Sequence, residues 1–129
     1  MAKHNEIGKI GENITKSFLM KHGYVVKSTN ESIRYGEIDI VAEKSNSLHF
    51  VEVKSVSVDD INKISDLVIK PEDNFTIQKR QKLKRTINLY LSNKKNHFNI
   101  VKACVDLACV YINPEKREGR VKFIENVEI

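Results

Sequence analysis

Two short apolar runs separated by a polar link form the clearest pattern in the chain. The runs are Ile38–Ala42 and Leu48–Val53, and the link is Glu43–Ser47. Apolar runs of this length joined by a few polar residues predict a β-hairpin. Each run also contains one acid, Asp39 in the first and Glu52 in the second, where a buried strand should be apolar.

A helix is predicted ahead of the hairpin, over about residues 5–22, and Gly23 is expected to end it. Its apolar residues recur at helical spacing: Ile7, Ile10, Ile14 and Phe18. A neighbouring face holds the small residues Gly8, Gly11 and Thr15, which would permit close approach to a sheet. Glu12 lies at the edge of that face. It would then point towards the strands; the alternative is an ordinary solvated acid.

The segment between helix and hairpin is predicted to start as a short strand, Tyr24–Lys27, and to continue as a polar loop, Ser28–Tyr35. Arg34 in this loop would contact a phosphate, pair with Glu37, or simply lie on the surface. Gly36 permits a tight or bulged entry into the hairpin.

After the hairpin, residues 56–74 mix polar and apolar positions and predict an extended excursion with one short helical turn. This stretch is either a mobile loop that embraces a substrate or a plain insertion. A second helix is predicted over about residues 76–95. Its apolar stripe consists of Leu83, Ile87, Tyr90 and Leu91.

The chain closes with two strand-like runs, Asn99–Ile112 and Arg120–Glu125, joined by a turn that begins at Asn113. The resulting order is one helix, three strands, one helix and two strands. It predicts an α/β sandwich with a mixed central sheet. Asp106, within the first of these runs, is interpreted as structural.

Composition bounds the class of protein. The chain has 129 residues, of which 40% are hydrophobic, and this predicts one globular domain over residues 1–129. No apolar run approaches the length of a membrane span, and the first residues lack the pattern of a signal peptide. A cytoplasmic protein without a membrane partner is therefore expected. Cys104 and Cys109 lie in an apolar stretch, which favours buried free thiols over a disulfide or a zinc site.

Positive charge is concentrated in the second predicted helix. The net charge is +5, and the sequence pI is about 9.2. Between Phe75 and Phe98 there is no acid, and the basic residues are Lys79, Arg80, Lys82, Lys84, Arg85, Lys94 and Lys95. Gln78, Lys82 and Arg85 share the side away from Leu83. Because such a helix gains nothing from internal ion pairs, a phosphate backbone is the expected partner; the alternative is a solvated basic face.

The acids of the hairpin are candidates for chemistry. Alternation along the second strand places Glu52 and Lys54 on one face, but only the strand register decides whether Asp39 shares it. If it does, two carboxylates meet, and a cation is needed to offset their repulsion. Hard oxygen ligands select Mg²⁺ or Mn²⁺. The alternative is that Asp39 is an ordinary acid at the end of a strand, and that Glu52 and Lys54 lie on the solvent-exposed face of the sheet. The flanking Phe50, Val51 and Val53 favour burial instead.

Several segments together resemble a known superfamily. They are Gly11-Glu12, Gly36-Glu37-Ile38-Asp39, Phe50-Val51-Glu52-Val53-Lys54 and the basic helix that ends in Tyr90-Leu91. The chain resembles the PD-(D/E)XK nucleases, and within them the YraN family, a bacterial group related to archaeal Holliday junction resolvases. The resemblance extends from Glu12 to Leu91 and includes the strand pair that follows. A longer acidic stretch before Asn74 departs from the pattern.

The resemblance implies a restriction-endonuclease-like three-layer sandwich and a role for each matched residue. Asp39 and Glu52 would bind one or two Mg²⁺ or Mn²⁺ ions, with the Val53 carbonyl as a further ligand. Glu12 would complete the metal shell directly or through water. Lys54 would orient or deprotonate the attacking water and stabilise charge on the phosphate. Glu37 would be a supporting residue. The residues that would bind the nucleic acid are Arg34, Gln78, Lys79, Lys82 and Arg85. Arg80 lies nearer the apolar stripe.

The implied function is a metal-dependent endonuclease that acts on structured or branched DNA in repair or recombination. No small-molecule cofactor is implied. A homodimer is expected by analogy, because related junction resolvases cut two equivalent strands. Two alternatives stay open: a nuclease-fold protein that binds nucleic acid without cutting it, and an RNA-directed or structural housekeeping protein.

Overall fold

The computed structural model describes residues 4–34, 36–66, 71–93 and 102–129. Its elements are α1 (His4–Lys21), β1 (Val25–Ile33), β2 (Gly36–Lys44), β3 (Ser47–Ser57), two 3-10 helices (Ile61–Asp66 and Pro71–Asn74), α2 (Ile77–Asn93), β4 (Lys102–Asn113) and β5 (Glu118–Ile124). The two 3-10 helices aside, this is the predicted order of helices and strands.

The five strands form one mixed sheet in the order β1-β2-β3-β4-β5. β3 and β4 are parallel, and the other neighbours are antiparallel. The parallel pair needs a long crossover, and α2 lies in it. α1 covers one face of the sheet through Leu19, whereas α2 covers the other through Leu83 and Ile87. The fold is therefore a three-layer sandwich of the restriction-endonuclease-like type, as predicted.

The buried side of α1 differs from the predicted apolar stripe. Its buried residues are Ile7, Gly11, Thr15 and Leu19, whereas Ile10 is 37% exposed. A side chain at Gly11 would collide with the hydroxyl of Ser55, so the helix lies too close to β3 for a large residue there. The small-residue face is thus the one that packs, although Gly8 at its end is exposed.

The predicted stripe of α2 is confirmed. Leu83, Ile87 and Tyr90 are buried, and the Tyr90 ring meets Phe50 edge-on at 5.5 Å between ring centroids. The helix begins after Thr76, whose side-chain oxygen accepts a hydrogen bond from the Lys79 amide as an N-cap. The two lysines predicted at the far end of this helix, at positions 94 and 95, lie outside the described residues.

The prediction of a polar loop after residue 27 was wrong. β1 continues to Ile33, and its polar half pairs with β2 through Ser28↔Val41 and Glu31↔Ile38. Because β1 is an edge strand with one partner, polar side chains cost it little, and hydrophobic periodicity does not reveal it. Tyr35, the last residue of the predicted loop, lies outside the described residues.

The hairpin is confirmed, with longer strands than predicted. Ser45 and Asn46 form the turn with positive φ angles of 51° and 61°, as a two-residue hairpin loop of type I′ requires. β3 runs on to Ser57, so the excursion predicted from residue 56 starts as strand. It then contains two 3-10 helices where one turn was predicted, and residues 67–70 lie outside the described part.

Two predictions from composition can be compared with the structure. Cys104 and Cys109 are buried free thiols, as predicted. Neither α1 nor α2 is long and apolar enough to cross a membrane.

Candidate active site between strands β2 and β3

Strands β2 and β3 separate at the two acids of the hairpin. Their pairing runs from Lys44↔Ser47 to Ile40↔Val51, and Asp39 and Glu52 are the next residues of each strand. Beyond this point β2 stays paired only with β1, and β3 only with β4. The register therefore places the two acids opposite each other, at the point where a cleft opens in the sheet.

A backbone amide at the edge of this gap binds one of the acids. The N–H of Val53 donates to Oδ2 of Asp39 over 2.9 Å. Because the N–H and C=O of a strand residue point to the same side, the Val53 carbonyl also faces the gap. The carboxylate thus accepts from an amide beyond the last β2–β3 pair, and it is held close to β3.

Burial raises the pKa of both acids. Burial is the largest cause at Asp39, and the charge of Glu52 adds to it, so that the pKa rises to about 7. Burial also raises the pKa of Glu52, although the charges of Lys54 and Lys79 oppose the shift. Glu37 raises both. Around pH 7 the Asp39 carboxyl therefore holds a proton readily, and a bound cation would relieve the repulsion that it experiences from Glu52.

Lys54 extends this cluster along β3. Its Nζ lies 3.4 Å from Oε1 of Glu52, and their side chains are only 26% and 19% exposed. The ammonium also lowers the pKa of Asp39, so its charge reaches both acids. An acid pair and a lysine thus share one largely buried region.

A cavity of about 230 Å³ lies between this cluster and α2. Its lining residues are Gly36, Glu37, Asp39, Glu52, Phe75, Lys79, Lys82, Leu83 and Thr86. At ~30 Å³ for each molecule, that volume is equivalent to about eight waters. Carboxylates from the strands therefore face lysines from the helix across a space large enough for a phosphate group.

Gly36 and Thr86 close one side of the cavity. A side chain at Gly36 would collide with the Thr86 hydroxyl, so strand and helix meet where only glycine fits. Sequence reasoning missed Phe75 and Thr86 as lining residues. Thr86 could have been recognised from the sequence, because it adjoins the apolar stripe of α2 and a buried polar residue needs a hydrogen-bond partner. Its hydroxyl donates to the Lys82 carbonyl over 2.9 Å.

Glu12 lies apart from the acid pair. It is half-buried, and its Oε1 accepts a hydrogen bond of 2.9 Å from the side-chain amide of Asn30 on β1. It is not among the groups that shift the pKa of Asp39 or Glu52. Within residues 4–34, 36–66, 71–93 and 102–129, no group of three or more His, Cys, Asp or Glu side chains is arranged to hold a metal ion.

Four of the five predicted nucleic-acid-binding residues line two neighbouring cavities. Lys79 and Lys82 line the cavity at the acids, whereas Arg34 and Arg85, together with Lys82, line a second cavity beside it. Gln78 is exposed on α2 and lines neither of these cavities. Among the described residues, Arg34 forms no ion pair with Glu37.

Arg80 has a structural position. Its Nε donates to the Phe75 carbonyl over 3.0 Å, and another guanidinium nitrogen donates to the Glu128 carbonyl over 3.3 Å. The guanidinium also lies over the Phe75 ring, 5.1 Å from its centroid. Arg80 therefore fixes the start of α2 to the C-terminal segment, in line with its predicted position near the apolar stripe.

Asp106 occupies a separate buried position on the face of the sheet that α1 covers. It is fully buried and accepts a hydrogen bond of 3.0 Å from the amide of Asn126, while His49 lies 2.7 Å from its other oxygen. These contacts fix the segment after β5 to the sheet, which agrees with the structural interpretation of this acid.

Comparison with known proteins gives one consistent result. The model of the family described as "Uncharacterised protein family UPF0102" matches residues 11–110, which include Glu12 and the whole cleft. A UPF0102 protein of Flavobacterium psychrophilum is 36% identical over 98% of this chain and 96% of its own length. Those of Campylobacter hominis and Dictyoglomus turgidum are 35% and 31% identical, over 98% and 95% of this chain and 97% of each relative. The names of these relatives state no activity.

Proposed function

The chain belongs to the UPF0102 family, the YraN family that its sequence resembles, and we propose that it is a divalent-metal-dependent nuclease that hydrolyses phosphodiester bonds in DNA. The proposed substrate is structured or branched DNA in repair or recombination, cut by an endonuclease. One observation carries the proposal: Asp39 and Glu52 stand opposite each other where β2 and β3 separate, with Lys54 3.4 Å from Glu52.

The donor set at the cleft suits Mg²⁺ or Mn²⁺. Two partly desolvated carboxylates that repel each other are hard oxygen ligands, and the Val53 carbonyl faces the same gap. Asp39, Glu52 and Val53 would therefore hold the ion. When bound, such an ion lowers the pKa of the attacking water and offsets charge on the phosphate. Glu12, which is bonded to Asn30, would contribute only through a bridging water.

Lys54 would act on the water and on the phosphate. Its ammonium is held beside Glu52 in a largely buried position, where a positive charge acts more strongly than in open solvent. In hydrolysis the water oxygen bonds to phosphorus, one ester bond to phosphorus breaks, and the departing oxygen takes up a proton. Lys54 would orient the water and stabilise the negative charge that develops on the phosphate oxygens, while Glu37 at the cavity wall would support the site.

The basic face of α2 would hold the substrate backbone. Lys79 and Lys82 reach into the cavity from the helix, and Gln78, Arg85 and Arg34 lie exposed around it. Phosphate contacts of this kind position a strand without reading its sequence. A substrate recognised by its shape is consistent with such contacts, and a homodimer that presents two clefts would suit a branched substrate.

The alternative is a nucleic-acid-binding protein on a nuclease fold that does not cut. It is favoured by one observation: Glu12 is bonded to Asn30, and in the described part of the chain no group of three or more His, Cys, Asp or Glu side chains is arranged to hold a metal ion. Against it, a binding protein has no chemical need for carboxylates in a cleft that must accept phosphates.

A cleavage panel distinguishes the two functions. Labelled duplex, single-stranded, flap and four-way-junction DNA and one RNA are incubated with Mg²⁺ or Mn²⁺ and either wild type or Glu52→Gln. The matched control is Glu43→Gln, a half-buried strand acid outside the cleft. Cutting that Glu52→Gln loses and Glu43→Gln keeps would establish a nuclease and identify its substrate class. Binding without cutting by wild type would favour the alternative.

A further inference from the structure

A second cavity of about 200 Å³ lies directly beside the first cavity, the one at the cleft. The two share Gly36, Lys82 and Thr86 as lining residues, so they have a common wall. Arg34 enters the second cavity from the turn after β1, and Arg85 enters it from α2, one helical turn beyond Lys82. A ligand that is longer than one phosphate can therefore occupy both cavities at once.

The two cavities differ in charge. The carboxylates of Glu37, Asp39 and Glu52 line the first, beside the lysines of α2, whereas the charged residues of the second cavity are all cations: Arg34, Lys82 and Arg85. Each of these three is exposed, and none forms an ion pair with another described residue. An anion placed among them would relieve their mutual repulsion without any metal ion.

The geometry of arginine favours phosphate over other anions. Each guanidinium presents a planar fork of N–H donors that matches two phosphate oxygens, and Lys82 adds a third cation. The remaining walls include Ile33 and Leu89, which are apolar and would exclude water from one side of the group. The cavity thus combines charge, donors and partial desolvation.

We infer that this second cavity is a metal-independent binding site for a phosphate group next to the scissile one on the same strand. The inference rests on the proposed function, because it takes the ligand from the strand that the cleft would cut. The acids of the cleft repel a phosphate until a cation is present, whereas the second cavity attracts one directly. It therefore captures the strand first and places the neighbouring phosphate at Asp39 and Glu52.

The bound group is either an internal phosphodiester or a terminal phosphomonoester, because the same donors recognise both. The test is fluorescence anisotropy in EDTA with a short labelled single-stranded DNA in three forms: hydroxyl ends only, a 5′-phosphate, or a 3′-phosphate. The test variant is Arg34→Ala with Arg85→Ala. The control, Lys84→Ala with Arg120→Ala, removes the same net charge from exposed residues that do not line the cavity.

The test variant should bind roughly tenfold more weakly than wild type, and the slope of its affinity against salt should fall by ~0.7, the value for one single-strand phosphate contact. The control should keep the wild-type slope. Extra affinity for one phosphorylated form that only the test variant loses would identify a terminal phosphate. Equal affinity for all three forms would identify an internal one.

Equal losses of affinity and slope in the two double variants would overturn this site. That outcome is distinct from failure of the proposed nuclease, because the binding assay contains no metal ion and needs no cleavage. A protein that binds through Arg34 and Arg85 but never cuts with Mn²⁺ would keep the phosphate site and lose the proposed activity. Matching circular dichroism spectra of all variants ensure that loss of binding is not loss of fold.

Discussion

The backbone amide of Val53 donates a 2.9 Å hydrogen bond to the carboxylate of Asp39 across the gap between β2 and β3. This single contact joins the two strands at the level where their regular pairing has ended. It also orients the carboxylate whose pKa burial and Glu52 raise to about 7. The same residue thus secures the cleft and provides a site at which a proton and a metal ion compete.

Competition between proton and metal predicts a ligand-dependent gain in stability. Mn²⁺ should raise the melting temperature of wild type, because binding to the folded state alone stabilises it by about 2.7 kcal/mol at 100 times the dissociation constant. Asp39→Asn should lose most of this shift, since it removes one ligand. Asp59→Asn, an exposed acid outside the cleft, should keep it. Differential scanning fluorimetry measures all three, and equal shifts would place the metal elsewhere.

The raised pKa of Asp39 also predicts how stability depends on pH without metal. Its pKa is about 7 in the folded protein and ~3.9 in an unfolded chain, so folding favours the protonated form. This contribution is fully present below about pH 4 and is lost as the pH rises through 7. Urea unfolding in EDTA at pH 5 and pH 8 should therefore show wild type losing more stability than Asp39→Asn. A steeper loss in the variant would contradict the assignment.

Lys54 is expected to act in chemistry rather than in substrate binding. Lys54→Met keeps the length of the side chain but removes the charge beside Glu52, and should lower the single-turnover cleavage rate by ~100-fold or more. The affinity for uncut DNA in EDTA should stay near the wild-type value, because Lys54 lines neither of the two cavities that would hold the DNA backbone. Lys116→Met, on the exposed turn before β5, serves as the control. A purely affinity-based defect would assign Lys54 to binding.

Two glycines of α1 are predicted to respond in opposite ways to the same substitution. Gly11→Ala would collide with the Ser55 hydroxyl and should destabilise the fold by ~1–3 kcal/mol. Gly8→Ala meets open space within the same helix and should stabilise it by up to ~1 kcal/mol. Chemical denaturation gives both values. Similar effects at the two positions would mean that α1 does not approach β3 as closely as described.

The parts of this protein that sequence predicted well are those with a strong periodic signal. The apolar stripe of α2 and the hairpin with its two acids each combine a clear repeat with polar boundaries, and both are confirmed. The alternation of side chains along β3 did not reveal whether Asp39 lies on the same face of the sheet as Glu52. The register resolved it, because Ile40 pairs with Val51 and so brings the two acids opposite each other.

The parts that sequence did not predict depend on tertiary contacts. The polar half of β1 forms strand because β2 pairs with it, which local composition does not show. The buried line of α1 follows the closeness of Gly11 to Ser55 rather than the largest apolar residues. The partner of Glu12 is Asn30, which adopts a positive φ of 53° within β1, and no spacing in the sequence indicates that contact.

The most direct test of the central claim is Mn²⁺-dependent cleavage of a labelled four-way junction, its unbranched duplex and its component single strands by wild type, Asp39→Asn and Asp59→Asn. Asp39→Asn is nearly isosteric and keeps an oxygen that can accept the Val53 amide, so loss of fold is not expected. We predict cutting by wild type and by Asp59→Asn, and none by Asp39→Asn while it still binds DNA. Equal cutting by all three would show that Asp39 is not part of the active site.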